Sequence, residues 1–241
     1  MSHAPEITLH GKYEIDHTPL FDGVSLRIEA GQWTCLLGKS GVGKSTILRV
    51  ILGLETAGKF DGTLTADDGK PIAERASYMA QSDLLLPWLS LRENVVIGAR
   101  LRGEKPDLDK ADAMIEQVGL TAHHTKKPKA LSGGMRQRAA LARCLMEDRP
   151  IVLLDEPFSA LDAGTRADMQ SLAAQVLRGK TVLLVTHDPA EACRLGHQIA
   201  VLTPAGILPW PVPKTTPVRA VDDPETLRSQ AALLSYLRAA S

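Results

Sequence analysis

The stretch Gly38-Lys39-Ser40-Gly41-Val42-Gly43-Lys44-Ser45-Thr46 constrains this chain more than any other. Thr34-Cys35-Leu36-Leu37 leads into it as a short buried strand. Ile47, Leu48, Val50, Ile51 and Leu52 follow it as the buried face of a helix. A glycine-rich turn between a strand and a helix is the setting that a phosphate-binding loop requires. Glycines at 38, 41 and 43 let backbone amides turn inward around phosphate oxygens, and the helix opening at Lys44 adds the positive end of its dipole. In that setting Lys44 reaches the β- and γ-phosphates of a nucleotide, and Ser45 offers its hydroxyl to Mg2+.

At 241 residues the chain is long enough for one large α/β domain, or for one that carries an inserted subdomain. Lysine plus arginine and aspartate plus glutamate balance at 28 each, so no net positive field favours nucleic acid, and none is expected as a partner. No apolar run approaches the roughly 20 residues that span a bilayer. Met1 to Leu9 carries Glu6 and no apolar block, unlike a secretion signal. Cys35, Cys144 and Cys193 lie far apart in apolar segments and read as buried thiols of a reducing compartment. The expected location is cytoplasmic, with contact to a membrane only through a partner.

Taken in order, Ile7-Thr8-Leu9 and Val24 to Glu29 alternate apolar and polar residues, as two half-exposed antiparallel strands do. Tyr13 is the aromatic here placed either to stack on a purine or to sit as a surface tyrosine in a strand; Phe21 reads as core. Gly62 to Thr65 and Ala76 to Ala80 read as further strands, the second ending at Gln81. A glutamine at a strand's carboxyl end, beside a phosphate loop, can ligate Mg2+ or orient water. Leu84-Leu85-Leu86-Pro87-Trp88-Leu89 is an apolar loop that needs a cover, and a partly exposed docking surface is the favoured reading. Leu91 to Leu101 reads as one helix, and Leu108 to Val118 as another, closed by Gly119. His123 and His124, among lysines, read as a solvated loop and not as a metal site. The stretch from about 83 to 148 is thus a helical insertion. It separates residues 1–82 from 149–241, which together form the nucleotide-binding core.

Within the insertion, Leu131-Ser132-Gly133-Gly134-Met135-Arg136-Gln137-Arg138 opens a buried helix. Ser132 can cap it, and Gly133 and Gly134 present bare amides, a second anion site in the same chain. Ile151 to Leu154 is a fully buried strand that ends in Asp155 and Glu156. Two carboxylates there are costly without a cation or hydrogen bonds. Asp155 is expected in the Mg2+ shell, and Glu156 is expected to receive a proton from an attacking water. Thr181 to Thr186 is another buried strand, and His187 at its end is expected to hydrogen-bond the γ-phosphate. Pro189 to Leu195 reads as a helix and Gln198 to Leu202 as a strand. The prolines from 204 to 217 make an irregular stretch, and Glu225 to Ala240 reads as an amphipathic helix.

Six elements in this order resemble the ATP-binding subunit of an ABC transporter: GKSGVGKST, Gln81, LSGGMRQR, IVLLDE, SALD and His187. The phosphate loop is common to many NTPases, whereas LSGG followed by a strand ending in DE, then SALD and a histidine, is highly specific. The resemblance runs from Ile7 to about Leu202. It implies the P-loop NTPase fold of an ABC ATPase: an α/β core with a mostly parallel sheet, an antiparallel β subdomain and an inserted α-helical subdomain. It further implies that ATP with Mg2+ lies between two copies stacked head to tail. The Lys44 loop of one copy then faces Ser132-Gly133-Gly134 of the other, and Ser159 and Asp162 couple the two sites. Closure on ATP and reopening after hydrolysis would drive transmembrane permease subunits, fed by a periplasmic or extracellular solute-binding protein. The subunit would sit peripherally on the cytoplasmic side of the cell membrane. The stretch from Gln81 to Gly103 is similar to ATPases of importers for nitrate, sulfonates, taurine or thiamine-precursor pyrimidines. The competing class, a soluble ABC ATPase of repair or translation, usually carries long coiled-coil insertions or paired cassettes, which this sequence lacks.

Overall fold

The computed structural model describes residues 4–239, and the chain divides into two compact units. The first holds the chain up to Ala76, Pro150–Asp155 and the chain from Arg178 on; the second holds Ser77–Arg149 and Glu156–Leu177. In chain order the first unit begins with β1 (Ile7–Ile15), β2 (Thr18–Ile28), β3 (Trp33–Gly38), α1 (Lys44–Ile51) and β4 (Lys59–Ala66). The strand β5 (Ala76–Met79) carries the chain into the second unit, with α2 (Leu91–Val95), α3 (Ile97–Leu101), α4 (Leu108–Gln117) and α5 (Gly133–Met146). Then β6 (Ile151–Asp155) belongs to the first unit and α6 (Ala163–Val176) to the second. The first unit closes with β7 (Thr181–Val185), α7 (Pro189–Leu195), β8 (Gln198–Thr203), β9 (Gly206–Trp210) and α8 (Pro224–Ala239).

Two sheets organise the first unit. Every residue of β3, β6 and β7 is buried, as strands covered on both faces must be, and the apolar runs there supply that burial. The strands of this unit lie in the order β6-β7-β3-β8-β9, parallel from β6 to β8, with β9 antiparallel on β8. The smaller sheet, β2-β1-β4, is antiparallel throughout. The proline-rich stretch after Thr203 is more ordered than its composition predicts. Gly206–Trp210 pairs with β8 and tolerates Pro209 because β9 is an edge strand, where a missing amide interrupts no ladder.

The segment after β9 is held by one side chain. Arg219 is buried and donates to the carbonyls of Cys193, Gly196, Pro213 and Thr215 at 2.7–2.9 Å. It thereby satisfies acceptors at the end of α7, which would otherwise lack partners. Helix α8 then starts on an Asp223 cap, whose carboxylate accepts from the Thr226 amide at 2.8 Å, and it buries Leu233 completely.

In the second unit, the predicted 91–101 helix is two short ones that meet at Val96. The β-branched run Val95-Val96-Ile97 lowers helix propensity there. Ser90 and Glu93 form a capping box at the start of α2. Asp107 caps α4, Ser132 caps α5 and Asp162 caps α6, each side chain accepting a backbone amide three residues on. Helix α5 buries Ala139, Ala140, Leu141, Ala142 and Leu145. Among the described residues, no helix is long and apolar enough to cross a membrane.

Candidate functional site

Parallel pairing sets the first group of candidate residues. Leu36 of β3 lies opposite Val185 of β7, which lies opposite Asp155 of β6. One row of the sheet therefore carries the Asp155 carboxylate, the point two residues before His187, and the point two residues before Gly38. Three parallel strands end together, so their loops open on the same edge, where open α/β sheets bind ligands.

The loop on that edge has the backbone of a cradle. Gly43 (φ 109°) and Gly41 (φ 81°) lie in the left-handed region, and a Cβ at Gly43 would come within 2.8 Å of the Phe21 ring. Lys39, Ser40 and Gly41 are exposed. The Lys44 ammonium turns back over the loop and donates to the carbonyls of Gly38 and Lys39, both at 2.8 Å. Ser45 and Thr46, half-buried, follow on the first turn of α1. Asp155 is 3% exposed and His187 is exposed.

A further group of candidate residues lies within the second unit. Gln81 Nε2 donates to Glu156 Oε2 at 3.3 Å, so the glutamine after β5 and the carboxylate after Asp155 meet. Glu156 has φ 49°, a left-handed backbone unusual for a residue with a side chain. Its carbonyl accepts from Gln137 Nε2 and from Ser159 Oγ, both at 3.0 Å. Gln137 Oε1 accepts from the Ala160 amide at 2.7 Å. Gln137 carries no role expected from the sequence. A glutamine between two arginines inside a helix reads as solvated, and its one signal is its helical phase with the buried residues Ala140, Leu141 and Cys144. Ser132 and Gly133 stand exposed at the start of α5, with Gly134 half-buried behind them. Ser159 turns back on Glu156. The Thr165 amide hydrogen bond holds the Asp162 carboxyl below its ordinary range.

One predicted site residue is corrected. Tyr13 neither stacks on a base nor sits on the surface. It is 1% exposed, its ring lies 5.7 Å from that of Phe21, and its hydroxyl accepts from the Gly58 amide at 2.6 Å. The cause is strand periodicity: Ile7, Leu9 and Tyr13 share the inward face of β1.

The donor chemistry fits a nucleotide with Mg2+. A glycine cradle with a lysine suits phosphate. Within the first unit, Ser45 and Asp155 are hard oxygen donors of the type that Mg2+ takes beside phosphate oxygens. Among the described residues no group of three or more His, Cys, Asp or Glu side chains gathers as a metal cage, His123 and His124 included.

Comparison with known proteins gives a consistent result. The family described as ABC transporter matches residues 21–159. The aliphatic sulfonates import ATP-binding protein SsuB 2 of Agrobacterium fabrum is 44% identical over 192 residues, 78% of this chain and 71% of that protein. The taurine import ATP-binding protein TauB of Roseobacter denitrificans is 41% identical over 196 residues, 78% of this chain and 72% of that one. Among solved structures, the dimeric post-hydrolysis state of the ATP-binding cassette MJ0796 bound to ADP and Pi superposes with a TM-score of 0.73. That likeness has 28% identity and covers 89% of this chain and 99% of the other.

Proposed function

The chain belongs to the ABC transporter family as an ATP-binding subunit, and from that premise we propose that it hydrolyses ATP to power an importer. The solute is of the nitrate, sulfonate, taurine or pyrimidine type, and the relatives named for aliphatic sulfonates and taurine favour an organosulfonate. The same import names weigh against a soluble repair or translation ATPase. The observation that carries the reading is the shared edge of β3, β6 and β7, where Asp155 lies in one row with Val185, two residues before His187, and Leu36, two residues before the glycine loop that leads to Lys44.

The residues take these roles. Amides of the 38–46 loop and the Lys44 ammonium hold the triphosphate. Ser45, Asp155 and Gln81 would hold Mg2+, which neutralises charge on the phosphate oxygens when bound. Glu156 Oε2 takes the proton of the attacking water. Gln81, donating to that same oxygen, keeps the carboxylate oriented. His187 hydrogen-bonds the γ-phosphate. Ser132, Gly133 and Gly134 serve the nucleotide of a second copy in a head-to-tail homodimer, which gives the exposed start of α5 a ligand, and Ser159 and Asp162 couple the two sites. The Leu84–Trp88 loop receives a cytoplasmic helix of the permease. The subunit works peripherally on the cytoplasmic side of the membrane, and the solute-binding protein meets the permease instead.

Lys44→Ala should abolish nucleotide binding measured by calorimetry; retained affinity would remove the phosphate-loop reading. Expressed with its membrane partners, the chain should co-purify with a multi-span protein, and solute should stimulate the ATPase activity of that complex.

A further inference from the structure

Beside the phosphate loop lies a cavity of about 530 Å³, within the range of small-molecule sites. Its walls come from the first unit alone. Loop residues 38–42 form one side, Pro19 and Leu20 of β2 a second, and Leu202 to Pro204 at the end of β8 a third. The fourth side belongs to α8, which contributes Tyr236 and Leu237. The lining is mainly apolar, and Tyr236 is its aromatic ring. That ring is half-buried, with its centroid 5.0 Å from that of Trp210, tilted at 47°.

We propose that Tyr236, carried by the C-terminal helix, is the aromatic wall of the purine-base subsite. This rests on the reading of 38–46 as the triphosphate loop. The occupant follows from continuity: residues 38–42 of the loop read as the phosphate cradle also line this cavity, so a base tethered to those phosphates is the group within reach. A flat ring in an apolar wall is what a base needs for stacking. The aromatic residue expected for this duty, Tyr13, is sealed between Phe21 and Gly58 and has no face to offer. Tyr236 is also held in place. Helix α8 is anchored by the Asp223 cap, by the buried Leu233 and by the Arg219 clamp before it, and Trp210 backs the tyrosine ring.

The test compares two ligands by calorimetry: ADP, which carries the base, and inorganic tripolyphosphate, which does not. Tyr236→Ala is expected to weaken ADP about tenfold, within the range that stacking supplies, and to leave tripolyphosphate unchanged. Tyr236→Phe is expected to restore ADP affinity, and Leu227→Ala, on an exposed part of the same helix, to leave both ligands unaffected. Unchanged ADP affinity in Tyr236→Ala overturns the inference, and so does an equal loss for both ligands, which would mark a structural defect. Those failures leave the phosphate-loop reading standing if Lys44→Ala still abolishes binding. If the unaltered protein binds neither ligand, both readings fall.

Discussion

Gln137 holds Glu156 by its backbone and leaves its side chain to chemistry. The glutamine amide donates to the Glu156 carbonyl at 3.0 Å, while its oxygen accepts from Ala160 at 2.7 Å. One side chain of α5 thus closes both ends of the turn that presents the carboxylate, and α5 is the helix whose exposed start bears Ser132 and Gly133. Gln137→Ala should leave a part-buried carbonyl and an amide without this partner, at a cost of about 1–3 kcal/mol. We expect kcat to fall by about tenfold, an amount equal to roughly 1.4 kcal/mol of lost positioning, with ATP affinity little changed. Steady-state ATPase assays beside nucleotide calorimetry check it. Unchanged kcat would make the contact purely structural.

Glu156→Gln keeps the shape and removes the base. Turnover should drop by at least about a hundredfold, the usual contribution of general-base catalysis. ATP binding should persist, and the protein should accumulate as an ATP-loaded dimer on size exclusion with light scattering. Hydrolysis at the original rate would take Glu156 out of its role.

Trp88 is 65% exposed, and Leu84 close to it is exposed as well. Trp88→Ala should therefore change stability by no more than about 0.5 kcal/mol. In reconstituted transporter it should lower solute uptake far more than basal hydrolysis. Equal losses of uptake and hydrolysis, or a large drop in Tm, would make Trp88 a structural residue.

Burial raises all three thiols, Cys35 strongly and Cys144 to about 11. The unfolded chain gives up these protons at lower pH than the folded one. Each thiol's contribution is intact below the ordinary thiol range, then declines as pH climbs from about 9 towards about 11 for Cys144. Tm should fall over that window, and Cys144→Ala should flatten the fall. In the folded protein at pH 8, Cys144 should resist alkylation by iodoacetamide; rapid labelling there would contradict its burial.

Much of the fold could be read from local pattern. The buried runs expected at 34–37, 151–154 and 181–186 are β3, β6 and β7, since strands covered on both faces need continuous apolar sequence. The helix from Pro189 to Leu195 and the cap at Ser132 are equally local. What escaped is what depends on distant neighbours. Pro209 discouraged a strand, and only the edge position of β9 admits it. The residue type of Tyr13 suggests stacking or a surface place, whereas its phase with Ile7 and Leu9 points inward. The nearness of Tyr236 to the loop at 38–42 is a fact of tertiary packing, invisible to any window of sequence. Gln137 escaped for the same reason, its partners lying 19 and 23 positions away.

Asn94, completely enclosed, receives the Leu86 amide and donates to the carbonyls of Leu86, Leu89 and Ser90, while Arg143 grips those of Asp83 and Leu84. The indole of Trp88 thus projects from a base with little give. A push against it is passed to the two helices that own those anchors, α2 and α5, instead of being spent in bending the loop. In the proposed role of passing movement from one molecule to another, such stiffness makes the loop a lever arm and not a spring.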